Sequence, residues 1–259
     1  MAFLEIESVS KVYGGVRALS DVSFQVREGE FHSVIGPNGA GKSTLINVLT
    51  GLTRPTSGRV VFDGQLISTC RTHEIVAMGV GRIFQNGRLF ERLSVLENVM
   101  MGLSARQRPS LHQLLGAPRK CAAAQRESRA ASIAMLERFG LGNQADRQIG
   151  ALSYGNRRLV EMAKVMVSRP RLLLLDEPAA GLNSGEVERL MGLLQTLRKE
   201  HSLSVVLIEH NMNMVMRLAE RITVLNFGTK LAEGTPEQIA ANDSVLAAYL
   251  GEGYKHAAV

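Results

Sequence analysis

No run in the 259-residue sequence stays apolar for anything near the roughly 20 residues that a membrane-crossing helix needs. There are only two cysteines, Cys70 and Cys121. They lack the spacing of a metal or redox pair and suit a reducing cytosol. The opening MAFLEIESVSK carries Glu5 and Glu7 and no basic stretch, so no secretory leader is expected. No internal repeat, low-complexity linker or sustained heptad run is present, and without heptads a long coiled coil is not expected. The formal net charge is +6, and much of the excess gathers between Arg106 and Arg129. That segment has no Phe, Tyr or Trp to interleave with its cations, so a solvated helical surface is expected there rather than a nucleic-acid face.

What is present reads as one large α/β domain. Hydrophobic residues at 45% and charged residues at 21% are ordinary for a globular chain. Phe3, Ile6 and Val9, then Val22, Phe24 and Val26, alternate as strands do. RVVFDGQLI reads as a hairpin, with Asp63-Gly64 suited to a type I′ turn. FHSVIG, LLLLDEP and SVVLIEH are short apolar runs of the fully buried strand type. KSTLINVLTG reads as a helix stopped by Gly51. Ala130, Ile133, Met135 and Leu136 are expected on the apolar side of a helix that ends near Gly140. Val187, Leu190, Met191, Leu194 and Leu197 recur at helical spacing behind a cap at Asn183 and Glu186. Thr235, Pro236 and Gln238 open another short helix, and a last one runs from about Ser244 to Leu250 and stops at Gly251. Strands alternating with helices imply a mostly parallel sheet covered on both faces. An all-helical stretch from about 87 to 157 interrupts the alternation as an inserted subdomain.

GPNGAGKS, Gly36 to Ser43, fits the G-x-x-x-x-G-K-[ST] phosphate loop between an apolar strand and an amphipathic helix. Gly39 and Gly41 clear side chains from backbone N–H groups that wrap phosphates, Lys42 reaches the β- and γ-phosphates, and Ser43 offers an oxygen to Mg²⁺. Thr44 adds a contact in the first turn. Asp176, ending a buried strand, is the carboxylate expected to reach the Mg²⁺ through water. Glu177, one residue on, is placed to activate a water attacking the γ-phosphate. His210 ends a further apolar strand, where it can hold that geometry. Ser153 and Gly155 in ALSYGNRRLVEMAK stand at a second helix start suited to an anion.

In this order the motifs resemble the ATP-binding-cassette (ABC) ATPases along essentially the whole chain. Gly36–Thr44, including Asn38 and Ala40, looks like the Walker A loop, and Leu172–Glu177 like Walker B. Gln85 in RIFQNGRLF matches the Q-loop glutamine, Tyr13 the aromatic that stacks on adenine, and His210 the switch histidine. LSYGNRR is similar to the Leu-Ser-Gly-Gly-Gln signature. The resemblance implies a P-loop NTPase core over 1–86 and 158–259 with an N-terminal antiparallel β part, and a helical, signature-bearing subdomain over 87–157. It implies ATP and Mg²⁺ as cofactors, with Ser43, Gln85 and Asp176 serving the metal. It also implies head-to-tail pairing, in which Ser153 and Gly155 of one chain cap the ATP of another. Three positions depart from the pattern. Tyr154 replaces the first signature glycine, Asn156 replaces the glutamine, and Asn183 stands where many relatives have aspartate, which puts cross-dimer communication there on an amide.

The finer resemblance is to the ATPase subunits of branched-chain and other hydrophobic amino-acid importers. It rests on RIFQNGRLFERLSVLENVMMG, DEPAAGLN, LIEHNM and the tail RITVLNFGTKLAEGTPEQIAANDSVLAAYLG. It implies a cytoplasmic, peripheral subunit on the inner membrane, pairing with itself or a paralogue beneath two permease subunits that work with an extracytoplasmic solute-binding protein. The Gln85 loop and the helical subdomain are expected to form a groove for a permease helix, with Phe84 and Phe90 expected mainly in the core. The competing reading, a nucleic-acid-linked cassette ATPase, suits the basic balance, but such proteins place a long coiled coil where this chain has a compact insert. A regulatory nucleotide sensor fits less well, since the hydrolytic set is intact.

Overall fold

FHSVI, LLLLD and SVVLI form three neighbouring parallel strands in which every residue is buried. The computed structural model of the protein describes residues 2–85, 87, 89–103 and 118–250. The basic stretch from 106 to 117, the Cys121 side chain and the expected stop at Gly251 lie outside the described residues. Strands β1 (Leu4–Tyr13), β2 (Val16–Val26), β4 (Ser57–Phe62) and β5 (Gln65–Leu66) make an antiparallel sheet in the order β2-β1-β4-β5. Strands β3 (Phe31–Ile35), β6 (Val80–Ile83), β7 (Leu172–Asp176), β8 (Ser204–Ile208), β9 (Arg221–Asn226) and β10 (Thr229–Gly234) make the second sheet in the order β10-β9-β3-β8-β7-β6. Only its β9–β10 edge pair is antiparallel. The mostly parallel core with an N-terminal antiparallel part is the architecture the sequence implies.

Helix α1 (Lys42–Leu49) follows β3 and buries Leu45, Ile46, Val48 and Leu49 between the two sheets. Each such side chain contributes about 2 kcal/mol relative to exposure. The β4–β5 hairpin turns on Asp63 (φ 49°) and Gly64 (φ 74°), the positive pair that a type I′ turn requires. A short α2 (Thr72–Ala77) precedes β6, and α3 (Val95–Met100), α4 (Pro118–Arg138) and the start of α5 (Tyr154–Met166) build the helical insert. α5 runs unbroken through residues 157 and 158, where the core was expected to resume. On the core side follow α6 (Ser184–His201), α7 (Met212–Leu218), α8 (Pro236–Ala240) and α9 (Asp243–Leu250).

α6 buries Val187, Leu190, Met191, Leu194 and Leu197 as the spacing predicts. Two expectations are corrected. Ala130 is exposed, because the buried stripe of α4 runs through Ser128, Ser132, Met135, Leu136 and then Phe139 beyond its end. Neither Phe84 nor Phe90 is a core residue, and Phe90 is 50% exposed. Fully buried Asn98 holds the Phe90 backbone, accepting from its N–H at 2.8 Å and donating to its carbonyl at 3.0 Å, which leaves the ring outside beneath Lys164.

Asn183 is the N-cap of α6: its Oδ1 accepts from the Glu186 N–H at 3.0 Å, and the Glu186 carboxylate accepts from the Asn183 N–H at 3.0 Å. Asn183→Ala is expected to lower the unfolding free energy by about 1 kcal/mol in a denaturant titration, and Asn183→Asp to change it by only a few tenths.

Candidate functional site

The register of the parallel strands sets the site. Ile83 pairs with Leu175, so Gln85 and Glu177, each two residues on, leave β6 and β7 side by side. Asp176 pairs with Ile208, and Val34 pairs with Ile208 from the other side, so His210 and Gly36 leave neighbouring strands at the same level. Four loops thus open at the carboxyl ends of the strands, where open α/β sheets bind their ligands.

The loop after β3 is held in shape before any ligand is considered. Lys42 Nζ donates to the carbonyls of Gly36 at 2.6 Å and Pro37 at 3.0 Å, and Ala40 N–H donates to Pro37 O at 3.1 Å. The β9–β10 turn braces it from outside through Gly228 N–H to Ala40 O at 3.1 Å. Gly41 has φ 101°, and a Cβ there would lie 2.5 Å from the Ala18 carbonyl, so its glycine is needed for close packing. Gly39 has φ 79° with open space beyond it, so it supplies an unobstructed left-handed turn on the outer side.

The start of α1 carries no side-chain cap, whereas Ser94, Ser153, Asn183, Asn211 and Thr235 each cap the helix they precede. Its first N–H groups have no partner within the helix and face the loop. They suit a phosphate chain. Burial holds the Lys42 ammonium below the usual lysine range, against the pull of Glu177 and Asp176. Asn38 and Ser43 are exposed, Thr44 is half-buried, and Ala40 is buried. Tyr13, at the tip of the β1–β2 hairpin, is 44% exposed, with Lys11 Nζ 4.8 Å from its ring centre. Its hydroxyl donates to Thr53 Oγ1 at 3.5 Å, past the end of α1, and β2 leads from that tip to Ala18, against Gly41, on one flank of the loop.

The catalytic candidates meet on the opposite flank. Gln85 Nε2 donates to Glu177 Oε2 at 2.7 Å, and His210 Nδ1 lies 3.9 Å from the same oxygen. Glu177 has φ 48°, a left-handed backbone that costs a non-glycine residue about 1 kcal/mol or more and recurs at functional sites. The amide oxygen left to Gln85, the exposed Ser43 hydroxyl and the Asp176 carboxylate are all oxygen donors, the kind a hard divalent cation takes. No cluster of three or more His, Cys, Asp or Glu side chains fit to hold a metal occurs among the described residues. A cation here would therefore depend on the phosphates for further ligands.

Two residues of this flank escape motif reading. Arg82, on β6, donates to Asp176 Oδ2 at 2.9 Å and to Asn47 Oδ1 at 2.8 Å, tying Walker B to α1. A charged residue inside the otherwise apolar VGRI strand is its only sequence signal. Glu209, fully buried, accepts from the N–H groups of Ala179, His210 and Asn211 at 2.8, 3.0 and 3.1 Å, fixing the turn that carries His210. Replacing Arg82 with Met would leave the Asp176 carboxylate buried without this partner. The expected cost is about 3 kcal/mol of unfolding free energy in a denaturant titration.

Ser153 and Gly155 are not brought to this loop: no contact at that helix start reaches residues 36–44 among the described residues. Ser153 Oγ accepts from the Asn156 N–H at 3.3 Å, which leaves its hydroxyl hydrogen for an outside acceptor. Tyr154 donates to Ala180 O at 3.2 Å, and the Glu186 carboxylate packs against Gly155, 2.1 Å from where a Cβ would stand.

Known proteins align with this arrangement along nearly its full length. Residues 19–180 match the family described as ABC transporter, and residues 229–255 match one described as branched-chain amino acid ATP-binding cassette transporter. The chain is 43% identical over 252 residues to the high-affinity branched-chain amino acid transport ATP-binding protein BraF of Pseudomonas aeruginosa, covering 96% of this chain and 98% of BraF. Its fold superposes with a TM-score of 0.85 on an ATP-binding cassette of an ABC transporter solved in its ADP conformation, at 30% identity over 97% of this chain and 99% of that one. A dimeric ATP-binding cassette in a post-hydrolysis state, bound to ADP and Pi, superposes with a TM-score of 0.77 at 29% identity, over 90% of this chain and 98% of that one. No helix among the described residues is long and apolar enough to cross a membrane.

Proposed function

The chain belongs to the ABC transporter family and hydrolyses ATP, and from that premise we propose that it powers an importer of branched-chain or related hydrophobic amino acids. The single observation behind the catalytic part is the Gln85–Glu177–His210 cluster at the strand ends, opposite a helix start left uncapped. The C-terminal match over residues 229–255 and the identity to BraF along the whole chain support the cargo. Among the described residues the insert consists of α3, α4 and the start of α5, with no long coiled coil of the kind a nucleic-acid-linked cassette ATPase places there.

In this reading the phosphates lie along residues 38–44, with Lys42 on the β- and γ-phosphates and Tyr13 against the base. Ser43, Gln85 and, through water, Asp176 would hold Mg²⁺, which would supply positive charge to neutralise the phosphate oxygens. Glu177 accepts the proton of the attacking water, and Gln85 and His210 keep that carboxylate aimed. Gly155 and Ser153 of a second copy or a paralogue complete the site. The pair sits on the cytoplasmic face of the inner membrane against permease subunits served by a solute-binding protein, and ATP-driven closure moves the permease.

The test is uptake of labelled leucine, isoleucine and valine in cells lacking the chain. Loss of uptake, restored by the wild-type chain and not by Glu177→Gln, supports the reading; uptake unchanged by the deletion refutes the cargo. Lys42→Ala is expected to weaken nucleotide binding by about 2–3 kcal/mol, roughly 30- to 150-fold in Kd, measured by titrating a fluorescent nucleotide.

A further inference from the structure

Arg158, on α5, is buried at 3% exposure and spends all of its donors on one small region. Its Nε donates to Pro178 O at 3.2 Å, and Nη2 to Asp176 O at 3.4 Å and Glu177 O at 3.2 Å. Its Nη1 donates to Phe84 O at 2.6 Å and to Glu161 Oε2 at 2.8 Å. A guanidinium has five N–H donors, and these five acceptors match them.

Three of the acceptors are the successive carbonyls of Asp176, Glu177 and Pro178, which the left-handed Glu177 backbone turns toward one side. Converging carbonyl dipoles repel one another unless a donor array answers them, and a planar fork does so where a point charge does not. The fourth, Phe84 O, belongs to the residue before Gln85, whose amide bonds Glu177. The guanidinium therefore holds the backbone behind both members of the Gln85–Glu177 pair. The fifth, Glu161, lines with Arg158, Gly87, Leu89 and Glu91 a surface groove of about 160 Å³ between the Gln85 loop and α5. Burial pushes the Glu161 carboxyl up, and Arg158 draws it back down.

We propose that Arg158 is the positioning residue of the hydrolytic step, fixing the Glu177 carboxylate and the Gln85 amide relative to each other from α5. A shift of α5 then reaches the Glu177 carboxylate and the Gln85 amide together through this side chain. The proposal rests on Glu177 as the group that activates water, and its test separates the two.

The full chain is prepared as wild type, Arg158→Lys and Glu177→Gln, and turnover is normalised to nucleotide-binding sites counted by titration, so that unfolded protein does not enter the rate. Lysine keeps the charge and gives up the fork. Arg158→Lys is expected to lower kcat at least ten-fold while KM for ATP stays within about three-fold, the split expected when an interaction matters only in the transition state. Wild-type kcat per binding site in Arg158→Lys, with turnover lost in Glu177→Gln, overturns the proposal alone. Turnover kept in Glu177→Gln overturns the base assignment and the proposal with it. Should Arg158→Lys not fold, Glu161→Ala leaves the guanidinium but removes its carboxylate anchor. A kcat lowered three-fold or more at unchanged KM then supports the proposal, and an unchanged kcat overturns it.

Discussion

Glu177→Gln is expected to leave ATP binding within about three-fold of wild type and to lower turnover by roughly 10²–10⁴-fold, the range over which a positioned general base acts. The amide has the size and shape of the carboxylate and cannot take a proton from water. Glu177 Oε2 now accepts from Gln85 Nε2 at 2.7 Å, and a glutamine oxygen can accept the same bond, so the loop geometry should survive. His210 at 3.9 Å loses a charged neighbour rather than a short hydrogen bond. In the proposed site the phosphates are held by the uncapped start of α1 and Lys42, neither of which depends on the Glu177 side chain for its backbone position, so binding should change little. If ATP closes two chains together as proposed, stalled hydrolysis keeps them paired, and a dimer should accumulate on gel filtration in ATP and not in ADP. Turnover within ten-fold of wild type would show that some other group activates the water.

Local signals carried far in this sequence and distant ones did not. The caps at Asn183 and Thr235 and the Asp63-Gly64 turn are legible because donor and acceptor lie within three residues of one another. The buried strands of the parallel sheet are legible because both of their faces are covered, so their apolar runs need no partner to be recognised. Ala130 is exposed where the apolar pattern predicts burial, because two serines, Ser128 and Ser132, fill the buried stripe of α4. Phe90 misled because an aromatic ring suggests a core, whereas its backbone is claimed by the side chain of Asn98 eight residues later. Arg82 carries no legible signal for its role because Asp176 lies 94 residues away and only the sheet register brings the two together. Arg158 carries none because the carbonyls it gathers, from Phe84, 74 residues before it, to Pro178, 20 residues after it, converge only when α5 packs behind the strand ends. The motifs point to the side chains that meet at the strand ends, and the buried cations behind them are visible only in the fold.

Ser153→Arg is expected to spare nucleotide binding by the single chain, within about three-fold, and to abolish its ATP-dependent pairing. The contacts of Ser153 and its neighbours are to Asn156, Ala180 and Glu186, and none reaches residues 36–44 among the described residues, so a larger side chain there meets nothing at the chain's own phosphate loop. What it removes is the cap of α5 and the hydroxyl hydrogen left over from that cap. The lost cap costs about 1 kcal/mol of stability, too little to unfold a domain of this size. The lost surface is larger in consequence, since in the proposed pairing an arginine occupies the space that another chain's γ-phosphate would enter. The outcome is sharpest in the Glu177→Gln background, where ATP-held dimers should otherwise persist. The double variant should then elute as a monomer in ATP with nucleotide still bound, and Ser153→Arg alone should lose turnover by at least the factor that its dimer population falls. A double variant that still dimerises on ATP would mean that the start of α5 does not close over a partner's nucleotide, and that the second anion seat read from ALSYGNRR serves some other contact.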